Sequence, residues 1–151
     1  MITDYHSQLF ANELTLRAPM GTIERIAAAL MGSRIDLNPH QVDAAVFAFR
    51  SPFSKGALLA DEVGLGKTIE AGILIAQRWA EKKRRILIIV PANLRKQWMI
   101  ELEEKFALPS VILETKSFND AIRSGNLNPF DTDKIVITSY TCLLYTSDAA
   151  D

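Results

Sequence analysis

Residues 57–68 decide the fold, and they read Ala57-Leu58-Leu59-Ala60-Asp61-Glu62-Val63-Gly64-Leu65-Gly66-Lys67-Thr68. The first four residues form a short apolar run, which predicts a buried strand. Residues 61–66 form a loop with two glycines, and residues 67–83 have apolar positions at helical spacing. A strand, a glycine-containing loop and a helix in this order are the context that a phosphate-binding loop requires.

The chemistry of this loop depends on its residue types. Glycines allow the backbone to curl so that successive N–H groups point at phosphate oxygens. The N-terminus of the following helix adds a partial positive charge. Lys67 can reach the β- and γ-phosphates, and the Thr68 hydroxyl can ligate Mg²⁺. Asp61 replaces the first glycine of the general pattern G-x-x-x-x-G-K-[ST], which indicates a particular subtype of this loop.

Strands and helices alternate in the rest of the chain. Further strands are predicted at 86–90, 111–113 and 135–138, and the apolar run at 86–90 predicts burial on both faces. Helices are predicted after caps at Asn38 and Asn93 and after a weak capping box of Ser117 with Asp120. This alternation predicts an α/β fold with a parallel sheet and right-handed crossover helices.

Composition sets limits on the class of protein. The chain has 151 residues with 17 Lys and Arg, 18 Asp and Glu, and 48% hydrophobic residues, which is typical of one globular domain. The net charge of -1 excludes a strongly basic protein that coats nucleic acid, but it is compatible with a local basic groove. One cysteine excludes an internal disulfide framework. The longest purely aliphatic run, residues 86–90, is too short to cross a bilayer, so we expect a cytoplasmic protein without membrane contact.

Four segments between residues 37 and 140 resemble motifs of the Swi/Snf-type ATPases of helicase superfamily 2. Residues 58–72 resemble motif I, in which Asp-Glu in place of the first glycine is typical. Residues 37–41 resemble the adenine-recognition motif, residues 88–98 resemble motif Ia, and residues 137–140 resemble motif Ib. Because the motifs occur in the order typical of the family, the chain resembles its bacterial branch that includes the RNA-polymerase-recycling ATPase.

The resemblance implies part of a RecA-like P-loop lobe that binds ATP and Mg²⁺. The implied function is that of a DNA-dependent, helicase-like ATPase or translocase that remodels protein–DNA complexes. Its implied partners are double-stranded DNA and a DNA-bound protein complex such as RNA polymerase. Lys67 has the implied catalytic role, Thr68 holds the metal and Gln41 reads adenine. The implied nucleotide site comprises Gln41, Asp61, Glu62, Val63, Gly64, Leu65, Gly66, Lys67 and Thr68, and the implied nucleic-acid contacts are Pro91, Arg95, Lys96 and Ser139.

Two other classes of function remain open at this point. One is a different P-loop ATPase, against which Asp61, Glu62 and the motif at Gln41 argue. The other is a non-catalytic nucleotide-binding scaffold, against which intact Lys67 and Thr68 argue. For Arg95 and Lys96, simple solvent exposure is an equally good interpretation.

Three segments organise the chain. Residues 1–35 are expected to form an N-terminal leader with a short helix, and residues 36–141 the first part of the ATP-binding lobe. Residues 142–151 match the translation of a transposon-type sequencing adapter (TGT-CTC-TTA-TAC-ACA-TCT-GAC-GCT-GCC-GAC), and the alternative is a genuine short tail. No Asp-Glu pair follows Tyr140, where the acid pair of motif II is expected. The sequence therefore predicts a lobe that ends before the motif II strand and that alone hydrolyses ATP negligibly.

Overall fold

The computed structural model describes residues 23–36, 38–50, 56–60 and 66–147. The helices are α1 (Ile23–Ala29), α2 (Pro39–Arg50), α3 (Lys67–Ala80), α4 (Arg95–Phe106), α5 (Thr115–Arg123) and α6 (Tyr140–Ser147). The strands are β1 (Leu87–Ile89), β2 (Ser110–Ile112) and β3 (Ile135–Thr138), and a 3₁₀ turn spans Ala92–Leu94. Among these helices, none is long and apolar enough to cross a membrane.

The described strands form a parallel sheet in the order β1-β3-β2. Ile88 pairs with Ile137 and Val111 pairs with Val136, which fixes the register on both sides of β3. All four residues of β3 are buried, as expected for a central strand. Helices α4 and α5 connect the parallel strands, so the predicted α/β fold is confirmed. The handedness of the crossovers stays a prediction.

The core lies where α1, α3 and α4 meet the sheet. Its fully buried members include Ile26, Ile73, Leu102 and Ile135. Helix α3 approaches α4 closely at Gly72, where an added Cβ would overlap the Phe106 ring. The apolar face predicted for α3 therefore points into the core, and α4 contributes Leu102 and Phe106 to it.

The predicted strand at residues 57–60 is wrong. These residues have no regular secondary structure, and the side chain of Leu58 is 86% exposed. A strand is stabilised by hydrogen bonds to a neighbouring strand, and β1 and β2 occupy both sides of β3. Within the described part of the chain, residues 57–60 pair with neither β1 nor β2, the two edge strands of this sheet.

The predicted burial of both faces of residues 86–90 is also wrong. Ile88 is buried, whereas Leu87 and Ile89 are 45% and 46% exposed. Successive side chains of a strand point to opposite faces, so Leu87 and Ile89 share one face of β1. On the same face, Val136 and Thr138 of the central strand β3 are buried, so the exposure is confined to the edge strand β1.

Several helix boundaries differ from the predicted ones. Helix α3 ends at Ala80 instead of Lys83, and α4 has Leu94 at its N-cap in place of Asn93 because a 3₁₀ turn precedes it. Helix α5 begins earlier than predicted, because its capping box joins Glu114 to Ser117. The Glu114 N–H donates to the Ser117 Oγ at 2.9 Å. Helix α1 ends at Ala29, and Met31 beyond its end is 88% exposed.

Candidate functional site

The N-terminus of α3 lies directly against α2. Gly66, the N-cap of α3, has a φ of +89°, and a Cβ placed on it would lie 2.5 Å from the Gln41 Nε2. The Gly66 carbonyl accepts from the N–H groups of Ile69 and Glu70 at 2.7 and 3.1 Å. The structure therefore brings two predicted site residues together, the last loop glycine and the adenine-reading glutamine.

Gln41 is held in place by the start of its own helix. Its side chain is buried, and its Oε1 accepts from the Asn38 N–H at 3.3 Å. Asn38 precedes Pro39, the first residue of α2, so Gln41 is the third helical residue and reaches back as in a capping box.

Lys67 and Thr68 are the first two residues of α3, and both are half-buried. Their position at a helix N-terminus is the one that the phosphate-binding interpretation requires. The predicted site residues Asp61, Glu62, Val63, Gly64 and Leu65 lie outside the described residues.

Sequence reasoning did not single out Glu70, which is fully buried in the first turn of α3. A carboxylate in the first turn of a helix is favoured by the helix dipole. The signal available in the sequence was an acidic residue between the apolar positions 69 and 73 of the predicted helix.

The predicted nucleic-acid contacts follow the carboxyl ends of the strands. Pro91 follows Val90, whose N–H donates to the Thr138 carbonyl at 3.0 Å. Ser139 comes directly after Thr138 and is buried, whereas Pro91 is exposed. The chain thus places these two predicted contacts at neighbouring strand ends.

The side chain of Ser139 caps the N-terminus of α6. Its Oγ lies 3.4 Å from the Cys142 N–H donor and 3.1 Å from the Thr141 Oγ1. This is the N-cap geometry that serine favours. The Ser139 hydroxyl is therefore oriented by the helix that it caps.

Arg95 and Lys96 begin α4 and differ in their surroundings. The Arg95 Nε donates to the Ala92 carbonyl at 3.1 Å, and its Nη2 lies 3.2 Å from the Glu114 Oε1. The side chain of Arg95 is 17% exposed, whereas Lys96 is exposed. Glu114, which sequence reasoning did not consider at this surface, is thus part of it.

The donor set fits a magnesium ion that arrives with a nucleotide. The described residues contain no group of three or more His, Cys, Asp or Glu side chains that could hold a metal. Mg²⁺ in nucleotide sites is commonly held by one or two protein oxygens together with substrate phosphates. A hydroxyl at Thr68, on the first turn of α3, suits that arrangement.

The profile of the SNF2-related domain family matches residues 24–151. The chain therefore belongs to this family, whose members are helicase-like ATPases of the Swi/Snf type. At the level of the family, ATP is the expected nucleotide and its hydrolysis the expected reaction. The match runs to the last residue and includes the segment predicted to be a sequencing adapter.

Curated relatives agree with this assignment. The chain is 41% identical over 113 residues to the RNA polymerase-associated protein RapA of Yersinia pestis (strain Pestoides F) and to that of Yersinia pseudotuberculosis serotype O:1b (strain IP 31758). The aligned part is 74% of this chain and 12% of each relative. The chain thus spans a small part of the length of the relatives that it matches.

A solved structure shows the same fold. The Sulfolobus solfataricus SWI2/SNF2 ATPase core, solved in complex with dsDNA, matches with a TM-score of 0.63 at 24% identity. The match covers 79% of this chain and 24% of that chain. The described helices and parallel strands are therefore those of a RecA-like lobe.

Proposed function

We propose that this chain is the ATP-binding portion of a DNA-dependent ATPase that moves along duplex DNA and remodels protein–DNA complexes. The observation that carries the proposal is the contact of Gln41 with Gly66, because it joins the adenine-reading residue to the phosphate loop. The RapA relatives are RNA polymerase-associated proteins, which supports a DNA-bound polymerase as the partner and the cytoplasm as the location. The complex of the archaeal core with dsDNA supports duplex DNA as the second ligand.

In this proposal the nucleotide lies across the junction of α2 and α3. The Gln41 amide reads the adenine edge with one donor and one acceptor. The backbone of Asp61, Glu62, Val63, Gly64, Leu65 and Gly66 surrounds the phosphates, and Lys67 neutralises charge on the β- and γ-phosphates. The Thr68 hydroxyl would hold Mg²⁺, which would reduce the negative charge of the triphosphate.

The proposed DNA surface is the carboxyl edge of the sheet. Pro91, Arg95, Lys96 and Ser139 follow the ends of neighbouring strands, β1 and β3. Cations at such an edge lower the electrostatic cost of approaching a phosphate backbone, and each neutralised phosphate releases counterions. Binding to duplex DNA is therefore expected to weaken with rising salt.

The decisive experiment measures ATP hydrolysis by the complete protein with and without duplex DNA. We expect stimulation by DNA, and we expect Lys67→Ala to abolish it while Lys105→Ala, a surface lysine of α4 paired with Glu101, has little effect. Hydrolysis that is indifferent to DNA would favour a different P-loop ATPase. Binding of an ATP analogue that survives Lys67→Ala would favour a non-catalytic scaffold.

A second experiment tests the base-reading role of Gln41. Gln41→Glu keeps the size of the side chain and its acceptor for the Asn38 N–H but removes the amide donor. We expect the preference for ATP over GTP to fall by roughly tenfold, as for loss of one discriminating hydrogen bond. Equal discrimination by the variant and the unaltered protein would contradict this role.

A further inference from the structure

The Arg95–Glu114 ion pair joins two strand ends on the proposed DNA surface. Glu114 follows Leu113, whose N–H donates to the Ile137 carbonyl at 2.9 Å and whose carbonyl accepts from the Thr138 Oγ1 at 3.0 Å. Pro91, Glu114 and Ser139 therefore follow three strand ends that are hydrogen-bonded to one another in the order of the sheet. An acidic side chain thus lies on the edge where the proposal places phosphates.

The two partners of the pair differ in their exposure. The Glu114 side chain is 58% exposed and the Arg95 side chain is 17% exposed. The guanidinium is further fixed by its Nε bond to the Ala92 carbonyl. A phosphate that approaches this point meets the carboxylate first, and it gains the charge of Arg95 only if Glu114 moves away.

We infer that Glu114 competes with DNA phosphate for Arg95 and so limits the affinity of this surface for duplex DNA. The inference rests on the proposed function of the surface and adds a residue that weakens binding. While the pair is intact, the charges of Arg95 and Glu114 cancel, and the exposed Lys96 is the remaining cation at the start of α4. Weak, competed contacts suit a protein that must release and rebind the backbone as it moves.

Glu114→Gln in the complete protein is the direct test. The glutamine keeps a carbonyl oxygen and the backbone N–H that donates to Ser117, so the cap of α5 is retained. We expect affinity for a short duplex to rise about threefold to tenfold. We also expect the slope of the logarithm of the binding constant against the logarithm of the salt concentration to steepen by roughly 0.9, the value for one further phosphate contact. Fluorescence anisotropy across a series of salt concentrations measures both quantities.

Three further variants make the test specific. Arg95→Ala combined with Glu114→Gln should lose the gain, because the cation that the gain requires is absent. Asp131→Asn removes an acid that pairs with Arg85 at 3.5 Å before the start of β3, and it should leave affinity unchanged. Glu114→Ser, which also removes the charge and keeps a good cap residue, should reproduce the gain if Glu114→Gln unfolds the protein.

The outcomes separate the inference from the proposed function. Unchanged or weaker duplex binding by both Glu114 variants, in a protein whose ATP hydrolysis DNA still stimulates, would overturn the competition and leave the proposed function intact. A gain that persists in the Arg95→Ala background would show a general charge effect and also overturn it. Absence of both duplex binding and DNA stimulation in the unaltered protein would instead overturn the proposed function.

Discussion

Gly66 must be a glycine for two independent reasons. Its φ of +89° is strained for a residue with a Cβ, and that Cβ would meet the Gln41 amide. We expect Gly66→Ala to lower the free energy of unfolding by about 1–3 kcal/mol and to displace Gln41. Urea denaturation measures the first effect, and reduced preference for ATP over GTP reports the second.

Gly56→Ala is the matched control for this substitution. Its added Cβ would have no atom within 4 Å, and its φ is not positive. It should therefore leave the unfolding free energy and the nucleotide preference nearly unchanged. Equal effects of the two alanine variants would contradict the role given to Gly66.

Glu81 is the centre of an ionic cluster at the end of α3. Its side chain is 7% exposed and lies 3.2 Å from Lys83, 3.4 Å from Arg78 and 3.8 Å from Arg25. Burial alone would raise the pKa of Glu81, but hydrogen bonds from Gln77 and Lys83 and the charges of Lys83 and Arg78 hold it below the ordinary value of 4.5. The charged form is therefore stabilised by folding.

The sign of the pH effect follows from that lowered pKa. The stabilisation by Glu81 is fully present above pH 4.5 and is lost as the pH falls through the pKa of the folded protein. We expect Glu81→Gln to cost about 1–3 kcal/mol near neutral pH, with the difference from the unaltered protein shrinking below that value. Urea unfolding at a series of pH values checks this, and a difference that is constant with pH would contradict it.

At the scale of elements, α1 packs onto the lobe through a small apolar face. Ile26 and Leu30 are 2% and 7% exposed, and the Arg34 N–H donates to the Lys105 carbonyl at 2.7 Å. Arg25 adds the contact to Glu81. The short helix predicted within the leader is thus part of the core, although the proposed boundary at residue 35 stays a prediction.

Ile26→Ala tests the contribution of this helix. Removing a fully buried isoleucine should cost about 2–5 kcal/mol in the free energy of unfolding. Ile23→Ala, at a residue of the same helix that is 60% exposed, should change it by less than about 0.5 kcal/mol. Similar costs at both positions would mean that α1 does not dock as described.

At the scale of the whole molecule, β1 lies at the edge of the described sheet with an apolar face in solvent. Leu87 and Ile89 share that face. Exposed apolar surface next to an unpaired strand edge promotes association between chains. We expect the isolated 151-residue chain to sediment as species larger than a monomer and to hydrolyse ATP negligibly.

A double variant tests whether this surface, and not exposed apolar area elsewhere, causes the self-association. Leu87→Thr with Ile89→Thr places β-branched residues at both positions of the strand and reduces the exposed apolar area, so self-association should fall. Ile122→Thr, on α5 and 43% exposed, should leave it unchanged. Analytical ultracentrifugation of the three chains makes the comparison.

The origin of residues 142–151 also concerns the whole molecule. We propose that this segment derives from a sequencing adapter, because its ten residues follow the adapter's reading frame in order. Residues 140–147 nevertheless form α6, and Cys142 is buried. Sequencing of the locus from independently prepared DNA is expected to show different codons after residue 141, and the same codons would refute the proposal.

Local sequence patterns were sufficient to predict most of the alternation of strands and helices, and they contain the residue types of the phosphate loop. Helix periodicity, the proline at the start of α2 and the apolar run of β3 are local signals, so they predicted those elements well. The family motifs added the adenine-reading role of Gln41 and the DNA role of Arg95, which stay predictions.

The pairing of the strands and the long-range contacts between side chains depend on the packing of the folded chain. Residues 57–60 and 87–89 have similar apolar composition, yet only the second segment forms a strand, because β3 lies beside it. The contact of Gln41 with Gly66 and the pairing of Arg95 with Glu114 join residues that are distant in the chain. Such contacts depend on the packing of whole helices and on sheet order, which local sequence patterns do not specify.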